Sequence, residues 1–330
     1  MPASRGVAAV LVERLDGDAR PDERDALVQA EEVSAALGQQ GFRVQRLETG
    51  LDLGDLLNRV RSLAPRFVFN LVESLAGNGA LIAVVPALLR GAGLRVSGCD
   101  AEALWLTSQK VLAKRWLRRH DVPTPDWIEN RPDVDRSSAA GRWIVKSVWE
   151  HASLGLDDGC VVSGAEEVAG RLRESKERHG GEWFAERFVD GREFNVSLLE
   201  IEGRPAVLPL AEIDFGTLPA SRPRIVGYAA KWMPGSIEYR ATERVFPPLP
   251  GPLAAELARL AERCWQLFGL AGAARVDVRL DAAGAPWVLE VNANPCLSRD
   301  AGFYAAAARY GLSYEAMVGH IATAALEPPP

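Results

Sequence analysis

The stretch AARVDVRLDAAGAPWVLEVNANPCL, residues 273–297, carries more information about this chain than any other segment of its length. Apolar and charged residues alternate on both sides of DAAG, which predicts two antiparallel strands joined by a turn of even length. Because neighbouring side chains of a strand point to opposite faces, Arg275, Asp277 and Arg279 would share one face of the first strand. The segment therefore predicts a hairpin with one charged face and one apolar face.

The second strand adds Glu290 and Asn292 to the charged face. An even turn would place Arg275 opposite Glu290, with Asp277 as the diagonal neighbour of that glutamate. Two carboxylates and an amide oxygen are ligands that a hard cation such as Mg²⁺ prefers, and Arg275 could neutralise charge on a transferred phosphoryl group. The alternative is an ordinary amphipathic hairpin whose charged face meets solvent, and the hairpin alone leaves both interpretations open.

Upstream of the hairpin, the first hundred or so residues predict a parallel α/β domain. The run VAAVLV at 7–12 is apolar throughout, as expected of a strand that is buried on both faces. Apolar residues at helical spacing over 25–40 precede two further strands, near 42–47 and 67–71. This alternation of strands and helices favours a parallel sheet with helices on its faces.

The rest of the chain predicts a mixture of helices and strands around one long excursion. Residues 100–119 have helical periodicity that ends before the two prolines of VPTP. Proline and glycine recur through 214–250, which predicts a long mobile excursion and not a core element. The remaining predicted elements are strands at 143–146, 160–162, 183–189 and 194–198, and helices near 165–178, 252–268 and 313–326.

Two lysines stand beside segments that could cover a ligand. Lys146 ends the predicted strand WIVK just before a small, polar loop at 149–159, and Lys231 lies in GYAAKWMPG on the excursion. An ammonium beside a flexible loop is a common phosphate partner, although a surface position is the more ordinary explanation of either lysine alone. Glu186 and Glu193 flank the turn FVDGR and, taken singly, are ordinary surface acids.

Composition narrows the class of protein. The 330 residues include 38 Lys and Arg against 44 Asp and Glu, a net charge of −6, so general nucleic-acid binding through phosphates is not expected. The four cysteines lack metal-finger spacing and predict reduced thiols in a cytoplasmic protein, and we expect neither a signal peptide nor a membrane span. The motifs GxxxxGK[ST], GxGxxG and GxSxG are absent, which removes the usual signals of Walker nucleotidases, dinucleotide enzymes and elbow-type serine hydrolases.

Taken in order along the chain, these segments resemble an ATP-grasp ligase, and most closely the D-alanine–D-alanine ligase group. The resemblance covers roughly residues 65–325. The matching segments are FNLVES (69–74), LTSQKVLAKRWLRRHDVPTP (106–125), WIVK (143–146), EHASLG (150–155), WFAERFVDGREFNV (183–196), GYAAKW (227–232), RVDVRLD (275–281) and VLEVNANP (288–295). The resemblance implies an ATP-grasp fold of α/β and α+β class, with an N-terminal parallel α/β domain over 1–105 and two ATP-clamping α+β subdomains over 106–185 and 186–330.

The resemblance also implies roles for individual residues. Lys110 and Lys146 would contact the ATP phosphates, Glu186 and the backbone of Arg187 and Val189 would bind the adenine edge, and Glu193 would hold the ribose hydroxyls. Asp277, Glu290 and Asn292 would bind Mg²⁺, or Mn²⁺ in its place. Arg275, Lys231 and Ser153 would be the catalytic residues, with Lys231 reaching the terminal phosphates and Ser153 on the loop that covers them.

The implied reaction has two steps. A substrate carboxylate attacks the γ-phosphate of ATP to give an acyl phosphate and ADP, and an amine then displaces phosphate to form an amide. The expected partners are small carboxylates and amines, with a homodimer implied by the group alone and neither nucleic acid nor membrane involved. Two alternatives remain open: an ATP-binding regulator that has lost the chemistry, and an enzyme that stops at the acyl phosphate or forms a thioester.

The segments that recognise amino acids match the group less well than the segments that bind ATP. A glycine-rich start is replaced by ERLDGDARPDERD, where Glu23 is the candidate equivalent of the usual glutamate. Ala152 stands in place of a serine, Trp232 in place of a tyrosine, and Cys296 in place of a glycine. The candidate substrate-binding residues are Glu23, Glu73, Cys296 and Ser298. These departures predict a specificity other than strict D-Ala–D-Ala synthesis.

Overall fold

The computed structural model describes residues 5–15, 17, 19–130, 140–150 and 152–327. Those residues form three sheets, of which the one nearest the N-terminus is parallel and the other two are antiparallel. The mixture of α/β and α+β organisation agrees with the predicted fold class. Within these ranges, no helix is both long enough and apolar enough to cross a membrane.

A parallel sheet forms the N-terminal part of the chain. Its elements are β1 (Val7–Glu13), α1 (Pro21–Gln39), β2 (Arg43–Thr49), α2 (Leu53–Leu63), β3 (Phe67–Asn70) and α3 (Val84–Gly91). β1 is the central strand, with β2 and β3 on either side. Its residues pack alternately against α1 and against α2 and α3, so both faces of the sheet are covered. This double burial explains the unbroken apolar run of β1 and confirms the parallel α/β prediction.

Two helices, α4 (Ala101–Ser108) and α5 (Lys110–Arg119), lie where the sequence predicts one. Gln109 separates them, because its backbone leaves the helical region and its side-chain oxygen accepts a hydrogen bond from the Leu112 amide at 2.5 Å. The single-helix prediction is therefore wrong, since a residue that caps a new helix cannot also continue the previous one. The apolar faces of α4 and α5 pack into the core of the C-terminal sheet.

The central sheet is small and antiparallel. Its elements are β4 (Trp127–Glu129), β5 (Arg142–Ser147), β6 (Val161–Ser163), α6 (Gly164–His179) and β7 (Trp183–Arg187), with strand order β4-β7-β5-β6. Val168 and Leu172 of α6 pack against Trp143 on one face of the sheet. β7 continues to Arg187, so the subdomain boundary proposed before residue 186 falls inside a strand.

The C-terminal sheet is the largest of the three. Its elements are β8 (Glu193–Ile201), β9 (Arg204–Val207), β10 (Ala211–Asp214), α7 (Tyr228–Trp232), α8 (Ile237–Ala241), β11 (Glu243–Val245), α9 (Gly251–Phe268), β12 (Ala273–Leu280), β13 (Pro286–Asn292), α10 (Gly302–Tyr310) and α11 (Tyr314–Leu326). The strand order is β11-β10-β8-β12-β13, with β9 beside β8. α9 packs with α4 and α5 in the core of this sheet, and α10 and α11 share a second core with α1. The N-terminal and C-terminal parts are therefore joined by a common apolar core.

The excursion at 214–250 contains regular structure. α7 and α8 lie within it, and β11 adds an edge strand beside β10. Ser236 caps α8 by accepting a hydrogen bond from the Tyr239 amide at 2.9 Å. The predicted excursion therefore contains short regular elements, which its prolines and glycines separate.

The β12–β13 hairpin has a register different from the predicted one. Leu280 pairs with Pro286, so the connection covers 281–285, an odd number of residues. The Asp281 carboxylate holds this connection by accepting hydrogen bonds from the amides of Ala283 and Ala285, each at 2.9 Å. The prediction of an even turn is wrong, because it takes DAAG as the whole loop and omits the residue that the aspartate side chain secures.

A bulge after Asp277 completes the change of register. Asp277 lies directly opposite Glu290, and Val278 lies opposite Val288, which leaves Leu289 as the extra residue. Arg275 consequently faces Asn292, so the predicted Arg275–Glu290 pair is not formed across the strands. The bulge brings the two carboxylates closer than the diagonal arrangement would, because cross-strand partners are the nearest neighbours on a sheet face.

Candidate active site

A cleft of about 610 Å³, partly open to solvent, lies between the central and C-terminal sheets. β5 and β7 contribute one side, β8, β12 and β13 contribute the other, and residues of the 149–159 loop and of the excursion complete the lining. The cleft contains the following predicted site residues: Lys146, Ser153, Glu186, Val189, Glu193, Lys231, Asp277 and Glu290. Its apolar lining is Ile144, Leu156, Phe188, Ile225, Val226 and Leu289. Residues that are far apart in sequence thus meet in one place.

The charged face of the hairpin forms one wall of the cleft. The Asp277 carboxylate accepts hydrogen bonds from Arg275 Nε at 2.7 Å, Arg275 Nη2 at 2.9 Å and Asn195 Nδ2 at 2.8 Å. Burial raises the pKa of Asp277; the Arg275 guanidinium opposes this rise and Glu290 adds to it. A site where two carboxylates repel each other is one where a bound cation relieves the repulsion.

The donor set of this wall fits a hard divalent cation. Asp277 and Glu290 face each other, and the Asn292 side-chain oxygen, which accepts the Asn294 amide at 3.0 Å, begins the turn that follows. Asp277, Glu290 and Asn292 are the residues that would hold Mg²⁺, with phosphate oxygens in its remaining positions. Within the described ranges there is no group of three or more His, Cys, Asp or Glu side chains that could hold a metal ion, and the candidate site here combines two carboxylates with an amide oxygen.

Glu186 lies at the bottom of the cleft between two lysines. Its Oε1 accepts a hydrogen bond from Lys146 Nζ at 2.6 Å, and its Oε2 is 2.6 Å from Lys114 Nζ. Burial alone would raise the pKa of Glu186, but Lys114 and Lys146 lower it below the ordinary value. Both carboxylate oxygens of Glu186 are therefore paired with an ammonium group, which keeps this buried carboxylate ionised.

The surroundings of Glu186 suit a planar base. Ile144, Leu156 and Phe188 provide apolar surfaces beside Glu186 that such a base can contact. A buried carboxylate can also accept a hydrogen bond from an exocyclic amine such as that of adenine. The deep end of the cleft could therefore hold the base of a nucleotide.

Arg187 and Val189 continue from β7 but differ in their relation to the cleft. The Arg187 amide donates to the Asp126 carbonyl at 2.7 Å, and Arg187 does not line the cleft. That N–H group is therefore already used within the chain, and the contact of the Arg187 backbone with the adenine edge stays a prediction. Val189 lines the cleft, and its carbonyl accepts Arg279 Nη1 at 2.8 Å.

The 149–159 loop and the excursion are hydrogen-bonded to each other. Ser153 Oγ donates to the Val226 carbonyl at 2.7 Å, and the Tyr228 amide donates to the Leu156 carbonyl at 3.0 Å. Trp232 Nε1 donates to the carbonyl of Ala152 at 3.1 Å. The two segments therefore form a single cover over the cleft; His151, at the centre of the predicted loop motif, lies outside the described residues.

The cover also contacts the N-terminal part of the chain. The Tyr228 hydroxyl donates to Asp22 Oδ1 of α1 at 2.9 Å. Ala152 and Ser153 both have a left-handed backbone, with φ of 57° and 62°, a conformation that costs energy for residues other than glycine. The contacts to the excursion and to α1 therefore hold a strained loop in place.

Lys231 lines the cleft, and its charge acts on Glu73, which is not one of the lining residues. Neither side chain makes a hydrogen bond or an ion pair with any residue that the structure describes. Burial, Asp25 and Asp22 raise the pKa of Glu73 to about 7, while Lys231 and Arg275 oppose the rise. Burial and Arg275 lower the pKa of Lys231. An unpaired cation beside an unpaired carboxylate suits a ligand that carries both charges.

Cys296 and Ser298, two of the predicted substrate-binding residues, are hydrogen-bonded to α1. Cys296 Sγ and Ser298 Oγ lie 3.0 Å and 3.2 Å from the Asp25 carboxylate. The Leu297 amide donates to Gln29 Oε1 at 2.6 Å. Side chains of α1 therefore already use the donors of this loop, which leaves fewer of them for the carboxylate of a substrate.

Glu23 and Lys110 have local partners. Glu23 accepts the backbone amide of Arg20 at 2.6 Å and pairs with its guanidinium at 3.0 Å, so it caps the helix that contains it. This contact explains Glu23 without a substrate, and Asp22 and Asp25 are the acids of α1 that contribute charge to the cleft. Lys110 Nζ donates to the Glu150 carbonyl at 2.7 Å and so supports the first residue of the cover.

Sequence reasoning missed five side chains that organise this site. They are Lys114, Arg279, Asp22, Asp25 and Tyr228. Lys114 lies one helical turn after Lys110, and Arg279 lies two residues after Asp277 on the same strand face, so periodicity contained a signal for both. Asp22 and Asp25 contained no such signal, because their function depends on contacts with loops more than two hundred residues away.

Comparison with known proteins agrees with this geometry. The sequence matches the family model for the D-ala D-ala ligase C-terminus over residues 138–323. It is 31% identical to a D-alanine–D-alanine ligase of Oleidesulfovibrio alaskensis, covering 91% of this chain and 92% of the relative. A second relative, a D-alanine–D-alanine ligase of Gloeobacter violaceus, is 29% identical and covers 95% of this chain and 98% of its own.

A solved structure has the same fold. The crystal structure of D-alanine–D-alanine ligase from Bacillus anthracis complexed with ATP superposes with a TM-score of 0.76 and 19% identity, covering 97% of each chain. The agreement extends over nearly the whole length, including the N-terminal part that lies outside the family model.

Proposed function

The chain belongs to the D-alanine–D-alanine ligase family of ATP-grasp enzymes, and on this basis we propose that it joins an amino acid or related carboxylate to an amine acceptor other than D-alanine. It is an ATP-dependent, ADP-forming ligase that makes carbon–nitrogen bonds. One observation carries the proposal: the Lys146–Glu186 pair, Lys231 and the Asp277–Glu290 pair lie in the same cleft.

The proposed reaction has two steps. An oxygen of the substrate carboxylate attacks the γ-phosphorus of ATP, the bond to ADP breaks, and an acyl phosphate forms. The acceptor nitrogen then attacks the acyl carbon, phosphate leaves, and the nitrogen loses a proton to give the amide. Lys146 and Lys231 offset the charge of the phosphates, and Arg275 offsets the charge that develops at the acyl group.

The cation site supports the first step. Mg²⁺ held by Asp277, Glu290 and Asn292, or Mn²⁺ in its place, would supply positive charge to the phosphates. Arg275 is bound to both oxygens of Asp277, so it stays aimed at the reacting region. The cover formed by the 149–159 loop and the excursion would keep water from the acyl phosphate, which hydrolyses readily.

The substrate end of the cleft supports the altered specificity. Glu73 would receive the ammonium group of the carboxylate substrate, with Lys231 and Arg275 on the side where its carboxylate reacts. Asp25 occupies the donors of Cys296 and Ser298 that could otherwise bind a carboxylate of the acceptor. Trp232 and Ala152 both depart from the family pattern. In the cover, Trp232 Nε1 donates a hydrogen bond to the Ala152 carbonyl.

The test is ADP release by the purified protein with Mg²⁺–ATP and a panel of D- and L-amino acids and simple amines, offered singly and in pairs. ADP that appears only with a pair, together with a product mass equal to the two substrates less one water, is the expected result. A product formed mainly from two D-alanines would overturn the altered specificity while leaving the ligase chemistry. Binding of ATP without ADP release from any pair would favour a regulator, and ADP release with hydroxylamine or thiols alone would favour an acyl phosphate or thioester product.

A further inference from the structure

Arg279 is a buried cation that none of the proposed steps uses. We propose that it is a positioning residue of the nucleotide site, which presets Glu193 for the ribose and fixes two chain segments beside it. The inference rests on the proposed function, because it takes Glu193 as the residue that binds the ribose hydroxyls. When Arg279 is replaced, the enzyme should therefore lose its preference for ATP over nucleotides that lack a ribose hydroxyl.

Arg279 holds the Glu193 carboxylate through two hydrogen bonds. Arg279 Nε and Nη2 donate to the same carboxylate oxygen, Glu193 Oε2, at 2.9 Å and 2.7 Å. The planar guanidinium fixes both bonds at once, so the carboxylate cannot rotate without breaking them. The other oxygen, Oε1, is left for a donor in the cleft. A hydroxyl pair of a ribose therefore meets a carboxylate that is already oriented.

Arg279 also connects separate segments of the cleft lining. Its Nη1 donates to the Val189 carbonyl at 2.8 Å, and its Nη2 donates to the Arg224 carbonyl. Val189 follows β7, and Arg224 immediately precedes Ile225 and Val226, which line the cleft from the excursion. One side chain therefore holds the Glu193 carboxylate, the connection between β7 and β8 and part of the excursion in a fixed relation.

The Arg279 guanidinium is buried beside two aromatic rings. Arg279 is 3% exposed, and its guanidinium carbon lies 5.3 Å and 5.8 Å from the ring centres of Phe188 and Phe215. Burying a charge is costly unless it is paired and hydrogen-bonded, and Arg279 uses four of its five N–H donors in bonds to three segments, one of which carries the Glu193 carboxylate. A lysine keeps the charge but lacks the planar fork, so Arg279→Lys separates positioning from charge.

The experiment compares ATP with 2′-deoxy-ATP and 3′-deoxy-ATP as substrates of the ligase. We expect the wild type to prefer ATP and Glu193→Gln to lose most of that preference. In Arg279→Lys, the KM for ATP should rise about 10- to 100-fold, the range for one lost charged hydrogen bond, with a smaller change in kcat. Its preference for the ribose hydroxyls should fall to that of Glu193→Gln, and the double variant should show no further fall.

Arg192→Lys is the matched control. Arg192 precedes Glu193 by one residue and makes a two-bond pair with Glu212, at 2.7 Å for each bond, without lining the cleft. This variant should keep the wild-type preference and KM. Arg279→Gln is a second test variant, which keeps donors for the carbonyls, and every variant is first checked for a cooperative melt.

The outcomes separate the inference from the function on which it rests. If Glu193→Gln keeps the wild-type preference, the ribose role of Glu193 is wrong and the inference fails with it. If Glu193→Gln loses the preference while a folded Arg279→Lys or Arg279→Gln keeps it, the ribose role stands and only the inference is overturned. A loss of stability in the Arg279 variants with unchanged KM and preference would also overturn it, because that result indicates a structural role alone.

Discussion

The surroundings of Glu73 disfavour the ionised form of its carboxylate. Asp22 and Asp25 of α1 raise its pKa in addition to burial, and Lys231 of α7 and Arg275 of β12 oppose the rise, with a net pKa of about 7. The ionised form of such a group is costly when no cation pairs with it and becomes favourable when a ligand ammonium does. Perturbed groups of this kind are characteristic of functional sites.

Glu73 gives the ligase a pH dependence. The carboxylate is ionised above its pKa of about 7 and can then pair with an ammonium group, so kcat/KM for the carboxylate substrate should fall as the pH is lowered through that value. Glu73→Gln should lower kcat/KM at pH 8 by about tenfold, the effect of one charged hydrogen bond, and remove this part of the profile. Steady-state rates between about pH 5.5 and 9 provide the measurement.

Thermal stability is the control for Glu73. The folded pKa of about 7 lies above the ordinary value of 4.5, so the folded state binds a proton more tightly and loses stability as the pH rises between these values. Glu73→Gln removes that penalty and should melt at a higher temperature than the wild type at pH 8, but not at pH 4. A variant that loses both activity and stability at pH 8 would contradict the assignment of Glu73 to substrate.

At the scale of elements, the cover depends on contacts between the 149–159 loop, the excursion and α1. Tyr228 makes two of these contacts, through its amide to Leu156 and through its hydroxyl to Asp22. Gly227 permits the approach, because a Cβ at that position would lie 2.6 Å from the Leu156 carbonyl oxygen. The family pattern places a tyrosine after the lysine, and here a tyrosine three residues before Lys231 makes the contact to the N-terminal part.

Tyr228→Phe removes only the hydroxyl contact to Asp22. We expect the cover to open more often, by about fivefold for a hydrogen bond worth about 1 kcal/mol. Opening admits water to the acyl phosphate, so ADP release should exceed amide formation in the variant. Parallel assays of ADP and product measure the ratio, and Tyr310→Phe, an exposed tyrosine at the end of α10, is the control. An unchanged ratio would mean that this contact does not hold the cover.

Gly191 shows how closely β12 and the β7–β8 connection approach each other. A Cβ on Gly191 would lie 1.9 Å from the Leu280 carbonyl oxygen, a separation that requires the backbone to move. Gly191→Ala should therefore destabilise the fold by about 1–3 kcal/mol or more, as overpacking does. Denaturant unfolding measures this, with Gly170→Ala in α6 as control, because nothing lies within 4 Å of a Cβ there. Equal unfolding midpoints for Gly191→Ala and wild type would contradict the packing.

For the whole molecule, much of the fold could be predicted from the sequence. The run at 7–12, the periodicity of α9 and the alternation in β12 each follow from burial of one or both faces, and burial is what a hydrophobic pattern records. The eight matching segments between residues 69 and 295 indicated the family. Each match is modest by itself, but eight matches in the same order along the chain are specific. Periodicity also placed Asp277 and Glu290 on the charged face of the hairpin.

The features that the sequence did not predict depend on single side chains. Gln109 interrupts a helix by capping the next one, and Asp281 lengthens a turn by binding its amides. Both act through a local hydrogen bond that leaves the hydrophobic pattern unchanged. The Arg187 amide donates to the Asp126 carbonyl, another contact that the hydrophobic pattern does not record. Contacts of this kind become visible only when distant segments are placed side by side.

The proposed function puts the Asp277–Glu290 pair at the reaction centre of an ADP-forming ligase. The most direct measurement is amide and ADP formation by Asp277→Ala and Glu290→Ala, with the substrate pair that the wild type uses and with melting curves to check the fold. The account predicts a loss of turnover of about a thousandfold or more in both variants, which still melt cooperatively. Turnover close to the wild type in both folded variants would contradict it.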